Sequence, residues 1–453
     1  MTHPPTDVGQ GVLRRHHATR VGRRAILGRG AALLAAAGPL TIACAGSGGQ
    51  PAPDAAAASQ APAKITFGTK FGAGERADWA KQTVDKFNEQ NAPRITVEHS
   101  VLGNSVQAPE LLVMISSGTG PDVTQTSGAW FSDFAEKGAL GDVTSNAKRD
   151  KVDLNRWYAQ EEVFLYKSKQ YGMPFWQSPG VYFYNASLFK RYNVAPPNDN
   201  WTWDDMLEAA RRLNIPGETW GLQTAFGWEK SWLHFIRANG GDYINKDATK
   251  TTCNTPQAVE AMQWVVDLVL RHKVMAPAGD TSLGSGNLWN VGKLAIMIGG
   301  AGAIGSTLTA KPDFEWNLFM TPKHPKTGKR VVTTTDNPMV VLASSKVRDA
   351  AWKFNLFTAE KFAQDLLGKL RINMPVLKTS AADPQSWLGT PPAAMKLTLE
   401  YMKHSTSLNF HKNWQQWNTE TQNAVLPAFK GEIGIKDALD KAAQLGDTLL
   451  RGL

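Results

Sequence analysis

The chain predicts an α/β protein with two domains, and three observations carry that prediction. At 453 residues it exceeds what one hydrophobic core usually serves. From residue 64 onward, strand-like and helix-like periodicities alternate, the pattern of an α/β lobe with a largely parallel sheet. The third is the stretch from Tyr171 to Asn185, which packs aromatics around Gln177 and Ser178 and is interrupted at Pro179-Gly180. Backbone that changes direction beside aromatics and a few polar groups suits a hinge or a ligand cleft.

Composition places the chain among soluble globular proteins: 42% hydrophobic and 20% charged residues exclude wholesale disorder. Sixteen Trp against eight Tyr is a surplus that suggests flat stacking platforms beyond core needs. The formal charge of +9 invites a nucleic-acid reading. Six of the arginines, however, precede Cys44 with only Asp7 against them, and the remainder carries +4 with no basic stripe. No nucleic-acid partner is expected.

Residues 1–44 read as an export leader. A basic segment precedes an Ala-rich apolar run (31–43) too short to span a membrane in the mature protein. Arg23-Arg24 begins a twin-arginine-like pattern. Cys44 follows Leu40-Thr-Ile-Ala43 in the manner of a bacterial lipobox, with Thr41 where that pattern has Leu. Residues 45–63, rich in Gly, Ser, Pro and Ala, read as a flexible tether. With Cys44 acylated, Cys253 is the only other cysteine, so no intrachain disulfide is expected.

The elements follow in order. Residues 64–71 form a first strand, and Ala77, Ala80, Val84 and Phe87 place a helix over about 76–90. A short strand at 95–97, a helix around 111–115 and a strand entered at Pro121 complete the first alternation. Thr202 and Asp205 have the form of a capping box, and Thr255-Pro256 sets Pro at the first helical position. Residues 293–298 make a buried strand leading into glycines, and 333–338 are a polar interruption of an extended segment. Residues 350–370, 419–429 and 435–450 are helical.

Few chemical motifs appear. Gly300-Ala-Gly302-Ala-Ile-Gly305 follows a strand and satisfies the dinucleotide fingerprint, which also needs an acid at the end of the next strand; Thr321 to His324 supply none. A Gly-rich turn at a close backbone approach is the plainer reading. There is no H-E-x-x-H, C-x-x-C, G-x-S-x-G or G-x-x-x-x-G-K. No catalytic residue, metal site or cofactor is expected. A distant pair of carboxylates for glycoside hydrolysis and an exported NAD(P)-dependent oxidoreductase stay open as alternatives.

Taken together, several segments resemble the extracellular solute-binding proteins of ABC importers, family 1, which includes maltose-binding protein. They are Phe87 to Val97, Ile115 to Val123 with Glu136 to Leu140, and Tyr171 to Pro174 with Tyr184-Asn185 and Trp201 to Asp204. Asn239 to Asp242, Gly292 to Met297, Ala350 to Phe354, and Phe429 to Glu432 with Asp437 to Leu439 follow in the same order. The resemblance implies a periplasmic-binding-protein-like fold of type II with two discontinuous lobes, 64–177 with 333–378 and 178–332 with 379–453, and ligand between them. Crossings would lie at 177–181, 332–337 and 376–380. It implies an exported, lipid-anchored monomer that delivers a carbohydrate to permease subunits, or else a phosphodiester or an amine. No enzyme activity is implied.

Sugars present C–H faces and hydroxyls, so their sites combine aromatic platforms with donors and acceptors. Candidate contacts are Gln125, Trp130, Trp176, Gln177, Trp228, Trp289, Gly300, Asp336, Asn337, Trp414 and Trp417. Trp176 and Gln177 stand first among them, at the crossing. Where maltose-binding protein stacks an aromatic on sugar after the glycine cluster, this chain has Gly302.

Overall fold

A computed structural model describes residues 62–104, 109–158, 164–278, 281–389, 391–408 and 410–451. The leader, Cys44 and all of the tether but its last two residues lie outside that range. Ala63, placed at the tether's end, already opens the first strand.

Twelve strands are present among the described residues. The first three are β1 (Ala63–Thr69), β2 (Ile95–Val101) and β3 (Val123–Gln125), followed by the small hairpin β4 (Leu165–Tyr166) and β5 (Lys169–Gln170). Next come β6 (Gly172–Asn185), β7 (Trp220–Thr224), β8 (Leu294–Gly300) and β9 (Trp316–Phe319). The last are β10 (Val332–Val341), β11 (Met374–Pro375) and β12 (Ser405–Ser407). The main sheet runs β2-β1-β3-β10-β6-β8-β7, with β9 and β11 also on β6 and β12 on β10.

Only part of this sheet is parallel. β1 pairs parallel with β2 and β3, and β7 with β8. In the middle, β10 is antiparallel to β3, and β6 to β10, β8 and β9, while the short β12 lies parallel on β10. The largely parallel sheet expected from the first alternation therefore holds at the two outer ends and fails in the middle.

β6 is one strand, not two segments separated by a turn. Phe175, Trp176, Val181, Tyr182 and Phe183 give it the β-branched and aromatic content of a buried strand. At Pro179-Gly180 it changes partners: residues up to Pro179 pair with β10, and those from Gly180 with β8. Pro179 has no N–H to donate, so a partner switch is a place where its loss costs no ladder bond. Its carbonyl accepts from Ala301 N at 3.0 Å.

Helices cover the sheet where the apolar spacing places them. The Gly74–Asn91 helix buries Trp79, Ala80, Val84 and Phe87. Thr202 caps the Trp203–Leu213 helix in a reciprocal box: Thr202 N donates to Asp205 Oδ2 at 2.7 Å, and Asp205 N to Thr202 Oγ1 at 3.4 Å. Asn185 ends β6 by accepting from Leu188 N, capping the next helix. Residues 350–370 are two helices, Arg348–Ala359 and Lys361–Lys369, not one. Glu360 between them is extended (φ −90°, ψ 171°), and Arg156 holds its carboxylate through bonds of 2.8 and 2.7 Å.

Two large cores result. One gathers Phe67, Trp79, Phe87, Phe175, Trp352 and Phe354 around β1–β3 and the first half of β6, with a satellite around Phe131, Phe134 and Val340. The other gathers Phe183, Leu222, Trp228, Trp232, Ile296, Trp414 and Trp417 around β7, β8 and the second half of β6. The tryptophan surplus goes mainly into these cores. Trp79, Trp228, Trp232, Trp289, Trp352, Trp387, Trp414 and Trp417 are all less than 2% exposed. Burial of so many is tolerable because most indole N–H groups find an acceptor, as Trp79 does at Ala363 O (2.8 Å) and Trp387 at Thr398 Oγ1 (2.9 Å).

Candidate ligand-binding site

A cavity of about 900 Å³ opens where β6 and β10 pass from one core to the other. Its floor is the paired strands. Side chains alternate along β6, so Trp176, Ser178 and Gly180 line the cavity while Gln177 turns to the other face. Ser178 pairs with Thr335 and Trp176 with Asn337, and both β10 residues also line it, as does Asp336.

The wall on the side of the first core begins where β1 ends. Lys70 and Arg76 line it, the latter in the first turn of the Gly74–Asn91 helix. The Arg76 guanidinium lies 5.6 Å over the Trp176 ring, which packs against Phe71 and Phe175 on its other sides. Trp176 is only 4% exposed. It supports an arginine more than it offers a bare platform. Ser127, Gly128, Ala129 and Trp130 follow at the start of the Gly128–Glu136 helix, with Trp130 stacked on Phe134 (5.5 Å, 15°).

The opposite wall is built from the second core. Phe226, Trp228 and Glu229 approach from one side, and Gly299, Gly300 and Gly302 from the end of β8. The Trp414–Phe429 helix presents Gln415, Asn418 and Gln422, spaced three and four apart on one face. The neighbouring face of that helix buries Trp414, Trp417, Thr421, Ala424, Val425 and Ala428. Phe410 closes one end, where the two walls touch: Ser132 Oγ donates to Phe410 O at 3.0 Å.

His234 lies behind the floor. A Cβ on Gly180 would sit 2.2 Å from its Cε1, so only glycine lets the strand pass here. The ring is 2% exposed, lines the cavity, and neither nitrogen has a hydrogen-bond partner. Burial, and then the charge of Arg237, push its pKa down to about 4, so it is neutral at ordinary pH. Dehydration also lowers the pKa of Lys70, helped by the charge of Arg76 beside it. Arg76 is open to the cavity, yet flanking protein dehydrates it enough to lower its pKa too.

Of the residues singled out in the sequence, Trp130, Trp176, Trp228, Gly300, Asp336 and Asn337 come together around this cavity. Gln125, Gln177, Trp289, Trp414 and Trp417, also expected as ligand contacts, do not line it. Gln125 is fully buried behind the floor and donates to Asn337 Oδ1 at 3.2 Å, so it orients a lining residue. Gln177 is turned away by strand alternation. Trp289 sits in the second core and donates to Thr307 Oγ1 (3.1 Å). Trp414 backs Glu229 through a bond of 2.9 Å to Oε1, and Trp417 donates to Thr251 Oγ1 (3.1 Å).

Sequence reasoning missed Lys70, Arg76, His234, Asn373 and the three carboxamides of the Trp414–Phe429 helix. The carboxamides had a signal: a helix begun at residue 414 instead of 419 shows one polar and one tryptophan face side by side. Lys70 follows the first strand, where ligands of open α/β sheets bind. His234, inside the apolar run from Trp232 to Ile236, had none.

The glycine motif at 300–305 does bridge a strand and a helix, β8 and Gly302–Ala310. However, β9, the next strand, lies on the far side of β6 from β8, so no adjacent parallel pair forms. A Cβ on Gly305 would lie 2.0 Å from Arg371 O, so close packing explains that glycine without a pyrophosphate. Among the described residues no group of three or more His, Cys, Asp or Glu side chains gathers as a metal site. Nor is any described helix long and apolar enough to cross a membrane.

Comparison with known proteins agrees with this geometry. The family model for bacterial extracellular solute-binding proteins matches residues 73–355, more than half of the chain. A Brucella abortus (strain 2308) protein named as a binding protein is 25% identical over 384 residues, spanning 82% of this chain and 89% of its own. Among solved structures, an ABC substrate-binding protein of Listeria monocytogenes in complex with cycloalternan superposes with a TM-score of 0.77 at 24% identity. The match covers 86% of this chain and 99% of that one. The cyclic α-maltosyl-1,6-maltose binding protein of Arthrobacter globiformis gives 0.74 at 22%, over 86% and 100%. These likenesses establish the two-lobed periplasmic-binding-protein fold, and with the family match they lead to one conclusion: the chain belongs to the bacterial extracellular solute-binding proteins.

Proposed function

We propose that this chain is the solute-binding subunit of an ABC importer and that its cavity holds a carbohydrate, an oligosaccharide more readily than a single sugar. One observation carries this: five carboxamides (Asn337, Asn373, Gln415, Asn418 and Gln422) and the rings of Trp130, Phe226 and Phe410 face a common space of about 900 Å³. Carboxamides both donate and accept, which suits hydroxyls, and rings suit the C–H faces between them. The volume is at the upper end for small-molecule sites. Names of similar structures point the same way, toward cyclic and linear glucosaccharides.

In this reading the lobes are 64–177 with 333–378 and 178–332 with 379–453, and β6 and β10 are the crossings about which they close. Closure on the solute would present a surface to the permease, a shift limited by the solute's differential affinity for the closed form. Export through the 1–44 leader, anchoring through an acylated Cys44 and action as a monomer belong to the same proposal. The bound sugar would leave chemically unchanged.

Isothermal titration of the purified protein against linear and cyclic oligosaccharides tests it. Saturable heat with at least one saccharide is expected. Binding of an amine or a phosphodiester, with no heat from any saccharide, would sink the carbohydrate reading.

A further inference from the structure

The cavity is not electrically uniform. Arg76 faces it from the first turn of the Gly74–Asn91 helix, and among the described residues it makes no hydrogen bond or ion pair. Its contact is the Trp176 face at 5.6 Å. Glu75, next to Arg76 in sequence, accepts from Thr309 Oγ1 at 3.0 Å, and its charge offsets part of the effect of burial on Arg76. Lys70 lies close enough for the charge of Arg76 to lower its pKa beyond the effect of burial, and both cations are partly dehydrated. Two like charges held together in a concavity destabilise one another, and an anion placed against them relieves both.

Backbone adds to the same field. The Gly128–Glu136 and Gly302–Ala310 helices begin at the cavity, with Gly128, Ala129, Gly302 and Ala303 in its wall. Neither has a side-chain cap or an acid in its first turn, so their leading N–H groups keep their partial positive charge. His234 also lines the cavity, beside Gly180, with both ring nitrogens unbonded.

Two carboxylates also line the space, and both are engaged. Glu229 accepts from Trp414 Nε1 at 2.9 Å, and Asp336 from Thr334 Oγ1 at 3.4 Å. Lys70 and Arg76 are the cations of the cavity lining, and they share one end of it. We propose that this end is an anion subsite and that the solute is an acidic saccharide, carrying a carboxylate or phosphate group where Arg76 and Lys70 meet it. The inference rests on the carbohydrate reading above and narrows it. A free inorganic anion is disfavoured because it would leave the carboxamide wall unused.

The test is calorimetric titration of the full chain with matched ligands: a neutral oligosaccharide, its counterpart ending in a uronate, and its counterpart bearing a phosphate. The acidic member of at least one pair is expected to bind about tenfold or more tightly than the neutral one, the range of a charge-assisted hydrogen bond. That ratio should shrink as salt rises. Arg76→Gln, at an exposed position whose folding circular dichroism can check, should collapse the ratio toward unity, and Lys70→Gln should reduce it. Whichever acidic ligand gains more identifies the anion. Equal or tighter binding of the neutral sugar overturns the anion subsite and leaves the carbohydrate reading standing. A ratio untouched by Arg76→Gln overturns it as well. Silence from every saccharide, neutral and acidic, removes both.

Discussion

The two walls of the cavity use different chemistry. One, at the end of β1, presents cations and the start of a helix over a covered tryptophan: Lys70, Arg76, Trp176 and the 127–130 turn. The other presents carboxamides and rings on the Trp414–Phe429 helix and the 226–229 segment, with glycines at the end of β8. Neither wall alone resembles a complete site for a polyhydroxylated solute. A ligand held by both satisfies donors and acceptors that neither lobe could satisfy apart, so its binding energy is gained mainly when the walls face each other. That is the physical requirement for a solute that stabilises a closed form.

The tryptophans of the two walls give the largest test of this contrast. Trp228 is fully buried, packs edge-on against Trp232 and donates to Thr421 Oγ1 at 2.9 Å. Trp228→Ala is expected to cost about 3–5 kcal/mol of folding stability through the cavity it leaves. Trp130 is half-buried and stacked on Phe134 alone, so Trp130→Ala is expected to cost about 1 kcal/mol of stability while weakening saccharide affinity. Urea denaturation and titration of the two variants decide this. Equal stability losses would mean that Trp130 is as much a part of its core as Trp228 is of the other.

That contrast also shows what could be read in advance. The strand and helix order was legible because apolar spacing is a local property: Ala80, Val84 and Phe87 announce their helix without help. Thr202 and Asp205 announce a cap for the same reason. Site membership is not local. Trp414 and Gln415 are adjacent, and only the rotation of their helix sends one into the core and the other to the cavity. Trp176 and Gln177 are separated by one strand step, which puts them on opposite faces. Pro179-Gly180 looked like a break because a proline and a glycine weaken a ladder. Here the ladder changes partners at that point, and nothing in the residues alone distinguishes a turn from a transfer.

His234 supplies the next effect, of intermediate size. Its native pKa is held at about 4 against 6.5 in an unfolded chain. Between those values the unfolded state binds the proton and the native state does not, so stability falls as pH drops from about 6.5 toward 4. By linkage the loss from this one group reaches about 3 kcal/mol. Above about pH 7 both states are neutral and it contributes no slope. Replacing it, as in His234→Gln, should flatten the urea midpoint between pH 6.5 and 4 relative to the parent. An unchanged acid slope would show that the ring is hydrated and titrates normally, and would remove it from the dry side of the cavity.

The smallest expected effect lies at the mouth. Thr309 Oγ1, on the Gly302–Ala310 helix, donates to Glu75 Oε1, on the Gly74–Asn91 helix, at 3.0 Å. This single exposed bond spans elements that belong to opposite walls, over a crevice of about 350 Å³ lined also by Arg76, Gly305 and Arg371. An exposed hydrogen bond is worth about 0.5 kcal/mol net, since water replaces it when it opens. Thr309→Ala should therefore weaken saccharide binding by about twofold without changing which saccharide is preferred, because it alters the cost of closure and not the contacts. A small increase in the radius of gyration of the unliganded protein in solution scattering should accompany it. If affinity falls but the radius does not move, Thr309 acts on the ligand or on Arg76 instead, and the mouth contact is no part of what holds the walls together.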